Sequence, residues 1–309
     1  MKWMKGLLLT LLLLAGCANR GSNETVQKDQ EPLMILAPSG APALALLPLY
    51  GNYDIETVQG SDVITAELAR TDSMYDVIVA PINTGTKLLA EGKSSYALNA
   101  VLTWGNLYLV GTSPDALQES GVLAAFGEAA VPGMILKNTI DPDTLPLQVT
   151  YYNAVNEVQA ALLAQKANVG LMAEPAASAT IAKGKENGID LQIIADLQTM
   201  YLETHEMTNP YGYPQAALFI KEGREEACKE LIEQLDTFSN QSAKDRQTLK
   251  KMLEEADMEM IGMPNASIAL ATWERQNIHY VPAKDLKEDL SSFLALFQVT
   301  YSEDMLSRQ

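Results

Sequence analysis

The chain has 309 residues, 47% of them hydrophobic and 20% charged, which is enough apolar material for a large interior and more than one compact core usually holds. Its 39 acidic residues outnumber 22 basic ones and give a formal net charge of −17, arguing against a nucleic-acid partner and against electrostatic attachment to anionic lipid. Two histidines and two cysteines leave few parts for a catalytic triad and no basis for a disulfide framework.

Lys2 and Lys5 precede an apolar run, Leu7 to Leu14, broken only by Thr10, and small residues lead into Cys17. This pattern predicts a signal peptide over residues 1–16, with an apolar stretch too short to remain as a membrane span. The string Leu14-Ala15-Gly16-Cys17 is similar to a bacterial lipobox, which implies that Cys17 carries diacylglycerol and becomes the new N-terminus. The alternative is an ordinary signal peptide with an incidental cysteine. Removal of Lys2 and Lys5 brings the charge from −17 to −19. Residues 17–31 hold Asn, Ser, Gln, Gly and charge but little that can be buried, and read as a flexible tether. A folded body of nearly 280 residues should start at Pro32.

Leu33 to Pro38 reads as a strand, Ser39-Gly40-Ala41-Pro42 as a tight turn, and the leucines from Ala43 to Leu47 as the start of a helix. Tyr53 to Val58 (strand), Asp62 to Arg70 (helix), Tyr75 to Ala80 (strand), a turn over residues 81–86 and Lys87 to Glu91 (helix) continue the rhythm. Strands alternating with helices imply a parallel sheet. The β-rich stretch from Tyr96 to Thr112 is long enough to pass from one lobe into another. A second α/β unit follows, with segments Val131 to Leu136 and Leu147 to Tyr152, a helix Ala154 to Lys166, a strand Val169 to Ala173, a helix Pro175 to Lys183 and Leu191 to Leu197. Turn residues from Asn209 to Gln215 precede a strand, Ala216 to Ile220, that reads as the return crossing. The remainder reads as helical, with apolar spacings of three and four in Arg224 to Asn240, Ala243 to Ala256, Ala266 to Glu274 and Ala283 to Phe297. Helical spacing puts Cys228 beside Leu231 and Ile232 as a small buried hydrophobe.

This order of features resembles the type II periplasmic-binding-protein fold, in particular solute-binding lipoproteins related to nitrate, sulfonate and thiamine-pyrimidine receptors. The landmarks are Pro38-Ser39-Gly40-Ala41-Pro42, Ala80-Pro81-Ile82-Asn83-Thr84-Gly85, Trp104-Gly105-Asn106, Glu157 to Leu163, Ala173-Glu174-Pro175 and Tyr213-Pro214-Gln215. The resemblance implies an α/β, two-lobed molecule with two crossing hinge segments. Lobe 1 would be 32–110 plus 210–309, and lobe 2 would be 111–209. It implies an extracytoplasmic receptor, tethered to the membrane through lipid alone and monomeric. Such a receptor carries no cofactor and delivers a small organic nutrient to an ABC permease and its ATPase.

Ligands of open α/β sheets sit beyond the carboxyl ends of strands, near helix N-termini. Ser39, Gly40 and Ala41 occupy one such turn, Asn83 and Thr84 an equivalent one, and the two clusters are expected to face a common space. The alternative is a plain capping turn for the first cluster and an N-cap role for Asn83. On the second lobe Tyr152, Asn153 and Glu174 fall at strand ends. A cleft carboxylate at Glu174 would favour an amine-bearing or heterocyclic solute, although a helix-capping role fits the position too. Trp104, Asn106, Tyr213 and Gln215 lie at the expected crossings, where aromatic faces and amides can close on a ligand; core packing competes for Trp104. A small anion held at the helix N-termini is the rival cargo, with no cluster of arginine behind it. His205, in Glu203-Thr204-His205-Glu206, lacks metal-ligand spacing. Two other functional readings stay open: a cleft enzyme, since the fold is shared with thiaminase-like and menaquinone-pathway proteins, and a sensory or partner-binding surface lipoprotein.

Overall fold

The computed structural model describes residues 32–307. The expected signal peptide, the Cys17 lipidation position and the tether lie outside the described residues. The strands are β1 (Met34–Pro38), β2 (Asp54–Val58), β3 (Val77–Pro81), β4 (Tyr96–Trp104), β5 (Leu107–Gly111), β6 (Gly121–Phe126), β7 (Leu147–Tyr152), β8 (Val169–Ala173), β9 (Gln192–Asp196), β10 (Pro214–Lys221) and β11 (Ile278–Pro282). They form two sheets, ordered β11-β4-β10-β3-β1-β2 and β7-β6-β8-β5-β9.

Both sheets repeat one plan. In the first, β1 runs parallel between β2 and β3, and β10, returning from the other lobe, lies antiparallel between β3 and β4. In the second, β6 runs parallel between β7 and β8, and the incoming β5 lies antiparallel between β8 and β9. Strands covered by helices on both faces need apolar side chains on both, so they read as apolar runs without alternation. All nine residues of β4 and all five of β5 are buried accordingly. Sheet membership puts the first crossing at Gly105 and Asn106, earlier than the expected passage near Gly111. The return crossing spans residues 205–213.

Several elements differ from the sequence reading. The strand β6 and the helix Leu197–Thr204 were not anticipated, and β11 interrupts the supposed helical block as an edge strand paired with β4. The helix Ile82–Ala90 starts directly after Pro81, so residues 81–86 are mostly helical rather than a turn. Proline at the N-cap lets the strand pass into the helix without an intervening loop, since its missing N–H is not needed there. Cys228 is fully buried against Leu231, Leu235 and Phe238, and burial pushes its thiol up to about 12. No described helix is long and apolar enough to cross a membrane.

Candidate functional site

A cavity of about 380 Å³ lies between the lobes, above the first crossing. This is within the range of roughly 300–1,000 Å³ typical of small-molecule clefts. The first lobe contributes Ser39, Gly40, Ala41, Pro42, Gln59, Gln215, Gly262 and Pro264. The second contributes Phe126, Val155, Asn156, Gln159, Ala179 and the stretch Ala173 to Ala176. Asn106 lies at the crossing itself. The site is therefore built at the carboxyl ends of β1, β2, β6 and β8, where the chain turns from strand into helix.

The β1 turn is held by the fold more than it is left open. Gly40 adopts φ +91°, a conformation that suits glycine. Its N–H donates to Ile261 O at 2.7 Å, and the Ser39 N–H donates to Val58 O at 2.9 Å. The Ser39 hydroxyl also donates to Val58 O, at 3.2 Å. These donors are spent on loop closure, which leaves the turn much less able to cradle an anion than its sequence suggests.

Glu174 has a partner that sequence reading missed. Its side chain is fully shut from solvent and its Oε1 accepts from Arg275 Nε at 2.7 Å, an ion pair between the lobes. Ser178 adds its hydroxyl at 2.8 Å and its backbone N–H at 3.2 Å, while Arg275 Nη2 reaches the same hydroxyl at 2.8 Å. The Tyr108 hydroxyl donates to Arg275 O at 3.2 Å. A carboxylate so engaged has little capacity left for an amine on a ligand, which corrects the motive for an amine-bearing cargo. The two partners are 101 residues apart in the chain, and Arg275 lies just past the expected helix Ala266 to Glu274.

The crossings themselves are cross-tied. Asn277 Nδ2 donates to Gly105 O at 2.8 Å on the outgoing segment and to Tyr211 O at 3.0 Å on the returning one. A side chain on Gly105 would strike Gln198 Oε1 and come within 2.6 Å of the Tyr213 ring, so close approach requires glycine there. The Tyr211 ring stacks on His279 at 3.9 Å, and burial lowers the imidazole from its ordinary 6.5 to about 4. Asp289, 2% exposed, accepts from Thr208 N (2.7 Å), Thr208 Oγ1 (2.8 Å), Asn209 N (3.0 Å) and Asn209 Nδ2 (2.8 Å), anchoring the return segment to the first lobe.

Six sequence-predicted site residues therefore line one cleft: Ser39, Gly40, Ala41, Asn106, Glu174 and Gln215. The rest lie elsewhere. Asn83 and Thr84 line a different cavity of about 630 Å³ with Lys87, Ala129 and Met134, so the expected convergence with Ser39 does not occur. Trp104 is fully buried, its indole N–H donating to His279 O at 2.8 Å, which is the core-packing alternative. Tyr213 is also fully buried, edge-on to Tyr201. Tyr152 and the exposed Asn153 are absent from the cleft lining; the Asn153 N–H donates to Glu157 Oε2 at 2.9 Å and belongs to the start of the helix Val155–Leu163. Asn156 and Gln159 on that helix reach the cleft instead. Their spacing of three puts them on one helical face, a signal legible in the sequence.

No protein-family model matches the chain, and no curated protein matches it. Solved structures do. An ABC transporter protein from Parabacteroides distasonis superposes with a TM-score of 0.69 at 21% identity, covering 89% of this chain and 95% of that one. The ligand-binding component of an ABC-type import system from Staphylococcus aureus, with zinc bound, gives 0.63 at 12% identity over 90% of this chain and 97% of that one. The periplasmic aliphatic sulphonate-binding protein of Escherichia coli gives 0.60 at 12% identity over 90% and 89%. With two like-built sheets, two crossings and these structural neighbours, the chain has the two-lobed type II periplasmic-binding-protein fold.

Proposed function

We propose that the protein is an extracytoplasmic solute-binding lipoprotein of an ABC importer, anchored through lipid on Cys17. It captures a small organic nutrient between its lobes and delivers it to the permease and its ATPase. The observation that carries this reading is the cleft walled by both lobes directly above the point where the chain crosses between them. A solute touching both walls stabilises the closed arrangement, which gives the permease a liganded shape to recognise. Ser39, Gly40, Ala41, Asn106 and Gln215 are the proposed contacts, with Glu174 acting through its bond to Arg275. The reading has the protein work as a monomer without a cofactor or catalytic step. Structural neighbours that are transporter proteins favour it over a cleft enzyme.

Two measurements test it on the full chain. Radiolabelled palmitate should enter the wild-type protein in a bacterial host and fail to enter Cys17→Ala. Calorimetric titration with a library of small organic nutrients should find a saturable ligand whose affinity drops on substitution of cleft residues. Equal labelling of the two proteins rejects the anchor, and binding that ignores the cleft substitutions rejects the site.

A further inference from the structure

The cleft has no charge to offer a ligand. Among the described residues that line it, Glu174 alone is ionisable, and its carboxylate is closed off by Arg275 and Ser178. The other polar groups are Ser39 and five carboxamides, those of Gln59, Asn106, Asn156, Gln159 and Gln215, set against the ring of Phe126 and several prolines. The Ser39 hydroxyl and Gln159 Nε2 already donate to protein acceptors. Asn106 differs. It is 2% exposed, and its Oδ1 is shut from solvent without a hydrogen-bond partner. A buried amide oxygen left unpaired is destabilising, so its retention at the floor of a cleft points to a partner that arrives with the ligand.

We propose that the cleft selects an uncharged, planar solute whose amide-like edge, an N–H beside a C=O, pairs with the Asn106 carboxamide. This rests on the cleft being the solute site. Whichever way the Asn106 amide is turned, its edge sets an oxygen acceptor next to an N–H donor, and the complement is another edge of the same kind. The flat carboxamides and the Phe126 ring suit a planar molecule. An ionised solute would shed its hydration here and find no counter-charge among the described lining residues, because Glu174, the one that is ionisable, is already paired with Arg275.

Benzamide, benzoate and benzamidinium share a ring and an outline and differ in charge, so they test the charge selection directly. Calorimetric titration of the full chain in detergent micelles should give saturable binding of benzamide, with benzoate and benzamidinium at least about tenfold weaker for lack of a partner charge. Asn106→Leu should weaken benzamide by about tenfold or more while leaving the ligand-free Tm unchanged or up to about 2 °C higher, since the unpaired polar group is gone. Binding of benzoate or benzamidinium as tight as that of benzamide overturns the charge selection and leaves the solute-binding reading standing. Silence towards all three, or a clear fall in ligand-free Tm for Asn106→Leu, also overturns it. Native mass spectrometry after incubation with a mixed metabolite extract separates the two readings. A charged species retained in the wild-type cleft removes only this inference, and retention of nothing removes solute binding as well.

Discussion

Replacing Arg275 by methionine probes the contact that joins the lobes. The change keeps most of the side chain's apolar stem and removes the guanidinium, which leaves a fully buried Glu174 side chain with only Ser178 as partner. Removing one member of a fully buried ion pair typically costs about 3–5 kcal/mol. Exposed pairs are worth about 0–1 kcal/mol. Here the arginine side chain is 42% exposed while the glutamate is closed, so water can screen one partner alone. An intermediate loss of about 2 kcal/mol is expected, read from the urea midpoint of the ligand-free protein. A double-mutant cycle with Glu174→Gln isolates the pair, and the two variants together should destabilise less than the sum of each alone by about 1–2 kcal/mol. If the two effects add, or if Arg275→Met unfolds within about 0.5 kcal/mol of wild type, the pair does not hold the lobes and the reasoning fails.

Three further outcomes follow from the crossings. Gly105→Ala forces a methyl group against the buried Tyr213 ring and should destabilise by about 1–3 kcal/mol in chemical denaturation, whereas an unchanged midpoint would mean the segment yields freely. Asp289→Asn turns one of two acceptor oxygens into a donor facing N–H and O–H groups, so a loss of about 2–4 kcal/mol is expected, with neutrality counting against the anchor. His279 binds its proton more weakly when folded, near 4 against an ordinary 6.5, so the unfolded chain takes up more protons between these values. Its contribution is complete above pH 6.5 and is lost as the pH falls towards 4. After allowance for partial exposure this amounts to about 1–2 kcal/mol. Urea midpoints of wild type and His279→Phe at pH 7 and pH 4.5 should show a smaller acid loss in the variant, and parallel losses would falsify the assignment.

The fold was legible because its determinants are local. The uninterrupted apolar runs of β1 and β3, the mostly apolar run of β4, and the turn residues after β1 and β8, follow from burial on both sheet faces and from backbone chemistry that a few neighbouring residues decide. Where local signals were weak, the reading slipped. Gly121 to Phe126 is short and alanine-rich, and Ile278 to Pro282 follows a helical block as an edge strand; its pairing with β4 depends on residues more than 170 positions away. The helix Leu197–Thr204 follows β9 with no separating loop, and its start is marked by the single N-cap residue Asp196, whose side chain accepts from the Gln198 and Thr199 N–H groups.

The site divides along the same line. Sequence alone placed Ser39, Gly40, Ala41, Asn106, Glu174 and Gln215 at strand ends or crossings, because position along a β-α unit determines which residues reach the open edge of a sheet. Which of those side chains remain free for a ligand was decided by distant partners. Arg275 neutralises Glu174 across the lobes, Val58 and Ile261 take the hydrogen bonds of the β1 turn, and the direct entry of Pro81 into a helix carries Asn83 and Thr84 to another cavity. Ion pairs and hydrogen bonds between remote segments form only once the sheets have assembled. Chain order therefore determined the frame of the cleft, and tertiary packing determined its charge.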